Sequence, residues 1–375
     1  MATVLDVNPG TAAQMAALGP QDVFVHMNPE VTSFKFKAKR HVPFACTETP
    51  VDFPVLKFGD TSSVVLPFDG DILTKMYLEI RVPPHVIPSH EIATYLLKRA
   101  KLVIDDVVIQ DHERLWYDIC NATHTPRRKQ LVQRPSRVIY IPLQFIENLP
   151  LVAMSKSTVR VDIELERPDA VPGLEGVSSD DIDVVLLCTY VDIDPAEEAT
   201  FRAGEHMYMF QAPQDVDDVS YWVNEQGRFG KKSLKIDLSE CNRPVSHLAF
   251  VAFQESSSSF QYLDVLDHAT LFVNGQEQFE RRPPSYFRLC QKYMHCDAFQ
   301  DDNIHVFSFA LRVGLFPENQ GLRLQPSGSL NFSSLKNPQL HVEFITPPND
   351  IKVKVFISTI NWLRIANGFA TLVFN

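Results

Sequence analysis

The chain has 375 residues and a formal charge of −11, from 35 Lys and Arg against 46 Asp and Glu; 45% of its residues are hydrophobic and 22% charged. That length is long for one core and comfortable for two domains, and the apolar content is too high for disorder. The acidic balance argues against a general nucleic-acid coat, which needs a basic face, and suits solubility at high local concentration.

With 26 Phe and 26 Pro against 14 Gly, the composition fits short strands joined by well-defined turns. The six cysteines (Cys46, Cys120, Cys188, Cys241, Cys290, Cys296) form no CxxC pair. Several sit at apolar positions, which predicts buried free thiols in a reducing compartment. The opening residues lack a basic start and a sustained apolar core, and no apolar run approaches the roughly 18 residues of a membrane span. Synthesis and folding in the cytosol is the expectation.

In chain order, Met1–Pro20 is small and polar and predicts an arm, draped over a neighbour or loosely held. Thr32–Arg40 alternates, with Phe34, Phe36 and Ala38 on one face and Lys35, Lys37 and Lys39 on the other. This predicts a strand with a basic outer face. A strand is expected within Phe58–Phe68, a turn at Asp69-Gly70-Asp71, and a strand over Met76–Val82 that Pro83-Pro84 ends. Glu91–Leu97 is compatible with helix or strand. Asp105-Asp106 marks a hairpin, and Leu115–Cys120 an aromatic helix. The densest basic cluster, Arg127-Arg128-Lys129 with Arg134 and Arg137, lies in a loop around Pro126 and Pro135. It is either solvated or a contact between subunits. Val159–Leu165 alternates as a strand, and Asp169–Asp181 is a loop. Val184–Val191 is almost wholly apolar, which predicts a strand buried on both faces. Asp194 caps a short helix over Pro195–Arg202, and a domain boundary is placed at about residue 205.

The second half contains the most legible unit. Ala269–Val273 has strand composition, and Asn274-Gly275 supplies two residues that accept positive φ, so a type I′ hairpin follows. Gln276–Phe279 begins the return and Arg281–Pro284 breaks it. Pro is tolerated in the first turn of a helix. Ser285–Tyr293, which includes Tyr286, then predicts a short amphipathic helix whose apolar face carries Phe287, Leu289 or Cys290, and Tyr293. The same unit occurs earlier. Ala100–Asp106 matches Ala269–Gly275 at an offset of 269 − 100 = 169, and Cys120 matches Cys290 at 290 − 120 = 170. Met76–Pro83 precedes Ser246–Phe253 by 170, Val138–Phe145 precedes Val306–Val313 by 168, and Asp183–Tyr190 precedes Asp350–Ile357 by 167. The period is a whole domain.

Further strands are expected at Leu234–Leu238, Val245–Phe253, Thr270–Val273, Ile304–Leu311, Leu340–Ile345 and Ile351–Ile360. The fold class predicted is all-β: two tandem eight-stranded jelly rolls, each of two four-stranded sheets, with short helices in the loops. Residues 1–20 form the arm, 21–204 the first jelly roll and 205–375 the second.

Jelly rolls can host metal chemistry, but no His-x-His occurs. His295-Cys296-Asp297, with His305 or His341, matches the start of a two-His-one-carboxylate site, yet His295 falls in a loop after the predicted helix. Asp111-His112-Glu113 reads as charged residues between hairpin and helix. No P-loop, Rossmann, Gly-x-Ser-x-Gly or zinc-finger spacing is present. The expectation is therefore no catalytic, cofactor-binding or metal-binding residue. Asn121-Ala122-Thr123 and Asn331-Phe332-Ser333 fit the glycosylation sequon, but no secretion route accompanies them. Gln325-Pro326-Ser327-Gly328 leads into Ser329–Ser333 and predicts a structural turn that sets the entry angle of a strand.

These segments carry a family resemblance. Asn28–Lys35, followed by Lys39-Arg40-His41-Val42-Pro43-Phe44, resembles the opening strand and Arg-His step of the double jelly-roll major capsid proteins of nucleocytoplasmic large DNA viruses. Phe58-Gly59 through Gly70–Leu78 resembles the next block. Val273-Asn274-Gly275, Glu280-Arg281 and Ser285-Tyr286-Phe287 resemble the second module's hairpin and helix. Phe309–Leu311 and Gln325–Ser333, with Asn331, resemble its most recognisable segment, and Asn361–Ile365 with Gly368 its close. The resemblance runs from about residue 21 to the C-terminus. The chain departs from the family in being short, with small loops where an outer tower would stand, and Pro284 occupies a position where Gly is frequent.

The resemblance implies a structural protein without cofactor. Three chains of two lobes would make a homotrimer of nearly hexagonal outline, a capsomer that tiles the facets of an icosahedral shell, through an interface of roughly 2,000 Å² or more. It implies trimer–trimer contacts, minor capsid, penton and scaffold proteins as partners, and no direct nucleic acid. It also implies assembly in the host cytoplasm and residence in the virion. A membrane beneath the shell would make Lys35, Lys37, Lys39 and Arg40 candidate inner-face contacts. Two alternatives stand beside this reading. A minor or vertex capsid protein of the same lineage differs by copy number. A jelly-roll lectin or metal oxygenase would bind one iron or zinc per chain.

Overall fold

The computed structural model describes residues 8–17, 19–22, 27–30, 32, 34, 40–86, 95–123, 138–171, 173–221, 233–256, 259–297, 303–313, 316–317, 324–345 and 351–374. Lys35, Lys37 and Lys39, the basic loop over 127–137 and most of the ambiguous segment before Leu97 lie outside the described residues. The chain divides into two compact units, Met1–Pro43 and Phe44–Asn375. In the first, helix α1 (Pro9–Ala16) begins where the Asn8 side chain accepts from the Gly10 N–H at 3.0 Å, with Pro9 in the first turn, where no N–H is needed.

The second unit holds the β-structure. Its first eight strands are β1 (Phe44–Asp52), β2 (Thr61–Val65), β3 (Ile72–Arg81), β4 (Leu97–Ile104), β5 (Val107–Glu113), β6 (Val138–Leu143), β7 (Val159–Leu165) and β8 (Asp183–Ile193). Helix α2 (Arg114–Thr123) follows β5, and helix α3 (Pro195–Ala203), capped by Asp194, follows β8. The strands form two four-stranded antiparallel sheets, ordered β1-β8-β3-β6 and β2-β7-β4-β5. Strict alternation drives the pairing. In β7 every second residue, Val159, Val161, Ile163 and Leu165, is fully buried. The expectation for Val184–Val191 needs correction. Val184, Leu186, Cys188 and Tyr190 are buried, whereas Val185, Leu187, Thr189 and Val191 are half-buried, because only the inner face meets the opposing sheet.

The plan then repeats. β9 (His206–Tyr221), β10 (Ser233–Asp237), β11 (Pro244–Ser256), β12 (Ser259–Tyr262), β13 (Leu266–Val273) and β14 (Gln276–Arg282) precede a π-helical turn (Tyr286–Gln291) that runs into helix α4 (Lys292–His295). β15 (His305–Ser308), the short pair β16 (Phe316–Pro317) and β17 (Leu324–Gln325), β18 (Leu330–Asn331), β19 (Gln339–Phe344), β20 (Ile351–Ala366) and β21 (Phe369–Leu372) complete it. One sheet is β10-β19-β13-β14. The other contains β9-β20-β11-β15 and is enlarged to seven strands by β12 and β18, which pair with β11, and by β21, which pairs with β20. Counterpart strands therefore occupy the same places in both halves, and the fold is a double jelly roll.

Three differences from expectation have local causes. β15 stops at Ser308 rather than near Leu311, because the Ser308 hydroxyl accepts from the Ala310 N–H at 3.1 Å and donates to its carbonyl at 2.7 Å, turning the chain. β20 runs six residues past Ile360, paired with β9 out to Ile365. β1 and β9 are strands the sequence pattern did not announce; Pro50 and Pro213 interrupt their alternation.

Each jelly roll has its own core, but the first core recruits Phe210, Ala212, Leu363, Ile365 and Ala370 from β9, β20 and β21. The long β9–β20 ribbon thus packs its far end on the first lobe and its near end in the second.

Candidate assembly interface

Within the chain the lobes meet through α2. Tyr117 points into the first core, while Leu115, Trp116, Ile119, Cys120 and Ala122 face the other way. They pack on the outer face of the second lobe's large sheet, against Ala249, Val251, Phe253, Val306 and Phe356. Trp116 and Phe356 stand 6.5 Å apart between ring centres. Polar contacts frame this apolar joint. The Lys354 ammonium bonds the Glu113 carboxylate. The Tyr262 hydroxyl donates to Asp118 at 2.5 Å. Gln110 donates to the Gln211 carbonyl at 2.8 Å and accepts from the Ile146 N–H at 2.7 Å. Burying each large apolar side chain contributes about 1.5–3 kcal/mol. The Lys354–Glu113 pair, with side chains 10% and 27% exposed, matters mainly through the cost of removing one partner, about 1–3 kcal/mol. Sequence reasoning missed this joint. Lys354 interrupting an apolar strand was its one visible signal.

His112 lies beneath α2, fully buried, with rings of Phe145, Tyr117 and Trp116 at 5.1, 5.9 and 6.0 Å. Among the described residues neither ring nitrogen has a hydrogen-bond partner, and burial pushes the His112 pKa down to about 3. His305, stacked on Phe250 at 5.0 Å, is also pushed down to about 3, by burial and then by the Arg288 charge. His112's neighbours in sequence are engaged as well: Arg99 grips Asp111 bidentately at 2.6 and 2.7 Å.

The two hairpins do the same job. Asn274 (φ 54°) and Gly275 (φ 75°) form the β13–β14 turn; the Asn274 N–H donates to the Lys336 carbonyl at 3.1 Å, and its side chain accepts from the Lys336 N–H at 2.6 Å. In the first lobe Asp105 (φ 49°) and Asp106 (φ 64°) form the turn, and Asp105 exchanges the same two bonds with Thr158, at 3.1 and 2.8 Å. Burial alone would raise the Asp105 pKa. Hydrogen bonds from Ser157 and Thr158 outweigh it and hold the carboxyl below its ordinary value.

The helix after β14 departs from the expected amphipathic pattern. Phe287 is fully buried against Phe250 and Phe279 at 5.4 and 5.3 Å. Cys290 and Tyr293 are exposed, Tyr293 by 81%, and Leu289 is half-buried. The cause is the π-helical turn, whose wider i→i+5 bonding rotates successive residues less than 100°. That turn also brings Gln291 inside, where it donates to the Tyr286 hydroxyl at 2.9 Å and accepts from the Ser308 N–H at 3.1 Å. Ser285 precedes the turn and makes no side-chain cap.

Gln325-Pro326-Ser327-Gly328 ties the end of β15 to the edge of β11. The Ser327 hydroxyl accepts from the Arg312 N–H at 2.8 Å and donates to its carbonyl at 2.9 Å. Gly328 has φ 143°, and a Cβ there would lie 3.2 Å from the Phe309 carbonyl oxygen. Asn331 pairs with Pro244 and caps the following turn by accepting from the Ser333 N–H at 3.1 Å.

The metal candidate is not assembled: His295 is bonded to the Leu311 carbonyl at 3.1 Å, while His305 is buried elsewhere in the sheet. Among the described residues, Asp267, His268 and Glu343 do converge, but Arg281 occupies both carboxylates at 3.4 and 2.5 Å. Arg40, in the first unit, is exposed. Cys120, Cys188 and Cys241 are buried thiols, whereas Cys46 and Cys290 are exposed.

The family model described as large eukaryotic DNA virus major capsid protein matches residues 143–371, and that of the major capsid protein N-terminus matches residues 32–224. The chain is similar to the major capsid protein of Pyramimonas orientalis virus, at 28% identity covering 98% of this chain and 99% of that one. Its fold is similar to that in the quasi-atomic model of the PBCV-1 virus capsid (TM-score 0.76, 20% identity, 92% of this chain and 100% of that chain). It is also similar to the Faustovirus major capsid protein (TM-score 0.67, 10% identity, 93% and 94%). With one family model spanning well over half of a doubled jelly roll, the chain belongs to the large eukaryotic DNA virus major capsid proteins, structural components of the virion capsid rather than enzymes.

Proposed function

We propose that three copies of this chain close into a trimer of six jelly rolls, and that this near-hexagonal capsomer tiles the flat facets of an icosahedral shell. The observation that carries the reading is the repeat itself: one strand order, β1-β8-β3-β6 over β2-β7-β4-β5, returns strand for strand in the second half. A two-lobed chain with equivalent lobes gives a threefold assembly the outline of a sixfold one. We place the lobe boundary near residue 205, at the end of α3, with the first twenty residues as an arm. The signature residues Asn274, Gly275, Ser285–Phe287 and Gln325–Asn331 set the lobe's local geometry and take no part in chemistry. Trimers would join one another and minor capsid, penton and scaffold proteins during assembly in the host cytoplasm. Lys35, Lys37, Lys39 and Arg40 would face the inner membrane surface. Light scattering on the purified chain tests the trimer: a mass of about 3 × 42.6 kDa is expected, and a monomer at all concentrations overturns it.

A further inference from the structure

Two β-bulges gather metal-ligating side chains on the second lobe, in the sheet that α2 does not touch. Leu266 pairs with Phe344 and His268 with Glu343, so Asp267 is an extra residue in β13. In a regular strand Asp267 and His268 would point to opposite faces. The bulge re-aims them: Leu266 and Ala269 stay in the core, while Asp267 and His268 both lie outside it, half-buried. Glu343 joins them from β19, between the core residues Val342 and Phe344. Opposite, Ala269 pairs with Arg282 and Leu271 with Phe279, so β14 also gains a residue. Arg281, beside that bulge, reaches both carboxylates.

One ligand atom each from Asp267, His268 and Glu343 lies within 4.8 Å of the other two. His268 Nδ1 is 3.1 Å from Asp267 Oδ2, yet it is shielded from solvent and makes no hydrogen bond among the described residues. The two atoms are therefore aimed past each other. Two ligands of one ion are arranged in this way. In a tetrahedral site with bonds of about 2.0–2.2 Å, ligand atoms stand roughly 3.4 Å apart and point at a shared centre.

The donor set selects the ion. An imidazole with two carboxylates suits zinc, whereas magnesium and calcium take oxygen donors. Three protein ligands leave a fourth position for water. His341, on the same sheet face, is turned to Gln339 at 3.2 Å and to the Phe272 ring at 4.3 Å, and stays outside the set. Arg281 balances the carboxylates, but its side chain is 55% exposed. An exposed ion pair contributes little, so the guanidinium yields to a doubly charged ion.

We propose that Asp267, His268 and Glu343 form a zinc site on the outer face of the β10-β19-β13-β14 sheet, and that Arg281 is its displaceable counter-ion. The ion braces β13 against β19. Only the folded chain presents the three ligands together, so zinc stabilises the second lobe. The site stands independently of the trimer.

The test titrates zinc chloride into the full chain by calorimetry, and one site per chain is expected. His268→Ala and Glu343→Gln should each weaken binding by about tenfold or more. Arg281→Gln, which removes the competing charge, should tighten it by about threefold. All three side chains reach solvent, and circular dichroism checks that each variant folds. Cobalt(II) in place of zinc should give visible d–d bands without thiolate charge-transfer absorption, which separates this site from the exposed Cys46 and Cys290. The proposal is overturned by a parent chain that takes up no zinc, by a thiolate band, by affinity that ignores His268→Ala and Glu343→Gln, or by affinity that Arg281→Gln fails to raise.

Discussion

A neutral imidazole sealed among three aromatic rings makes the fold sensitive to acid. His112 and His305 have pKa values of about 3, against an ordinary 6.5. Because the folded value is depressed, each contributes stability in full above pH 6.5, and that contribution is lost as pH falls toward 3. The loss is about 1.4 kcal/mol per pH unit for each histidine. Urea denaturation between pH 7 and pH 5, where carboxylates stay ionised, should show this slope, and His112→Phe should make it shallower by about one proton. Gly328 is the other sensitive residue. At φ 143° and with the Phe309 carbonyl oxygen 3.2 Å from any added Cβ, Gly328→Ala should cost about 1–3 kcal/mol. Thermal melting would report it, and an unchanged melting temperature would show that the Gln325–Asn331 turn relaxes.

At the scale of elements, the α2 joint is held by apolar burial and framed by polar contacts, among them the Lys354–Glu113 ion pair, and the two respond differently to truncation. Trp116→Ala should destabilise by about 3–5 kcal/mol. Glu113→Ala removes the carboxylate beside the Lys354 ammonium, whose side chain is only 10% exposed and also lies over the Phe356 ring, and should cost about 1–3 kcal/mol. Replacing both, Glu113→Leu with Lys354→Met, should recover most of that loss. Chemical denaturation of the three variants decides whether the joint is held by packing or by the pair.

This joint also marks where the sequence stops being legible. Local chemistry was readable: the Asn274-Gly275 and Asp105-Asp106 turns, the alternation of Val159–Leu165, and the repeat that links Ala100–Asp106 to Ala269–Gly275. What a residue faces across space was not. Val184–Val191 reads as doubly buried because composition records apolarity, not which sheet face meets a neighbour. At α-helical spacing Phe287 and Tyr293 stand about 120° apart, at the two edges of the predicted apolar face, and the π geometry of Tyr286–Gln291 separates them further. β9 hides behind Pro213 and its acidic residues, and its strand character comes from the fourteen-position register with β20.

At the scale of the whole molecule, the β9–β20 ribbon passes from one core to the other. The chain therefore cannot be cut near residue 205 into two self-sufficient halves. A fragment ending there leaves the places of Phe210, Ala212, Leu363 and Ile365 empty. Calorimetry should accordingly give a single endotherm with matching calorimetric and van't Hoff enthalpies, and a fragment of residues 44–204 should aggregate unless the rest of the chain is supplied. For a shell subunit this is a safeguard during synthesis. The first lobe to leave the ribosome stays unfinished until the last strand arrives, so a truncated product has no completed lobe with which to enter and poison a growing lattice.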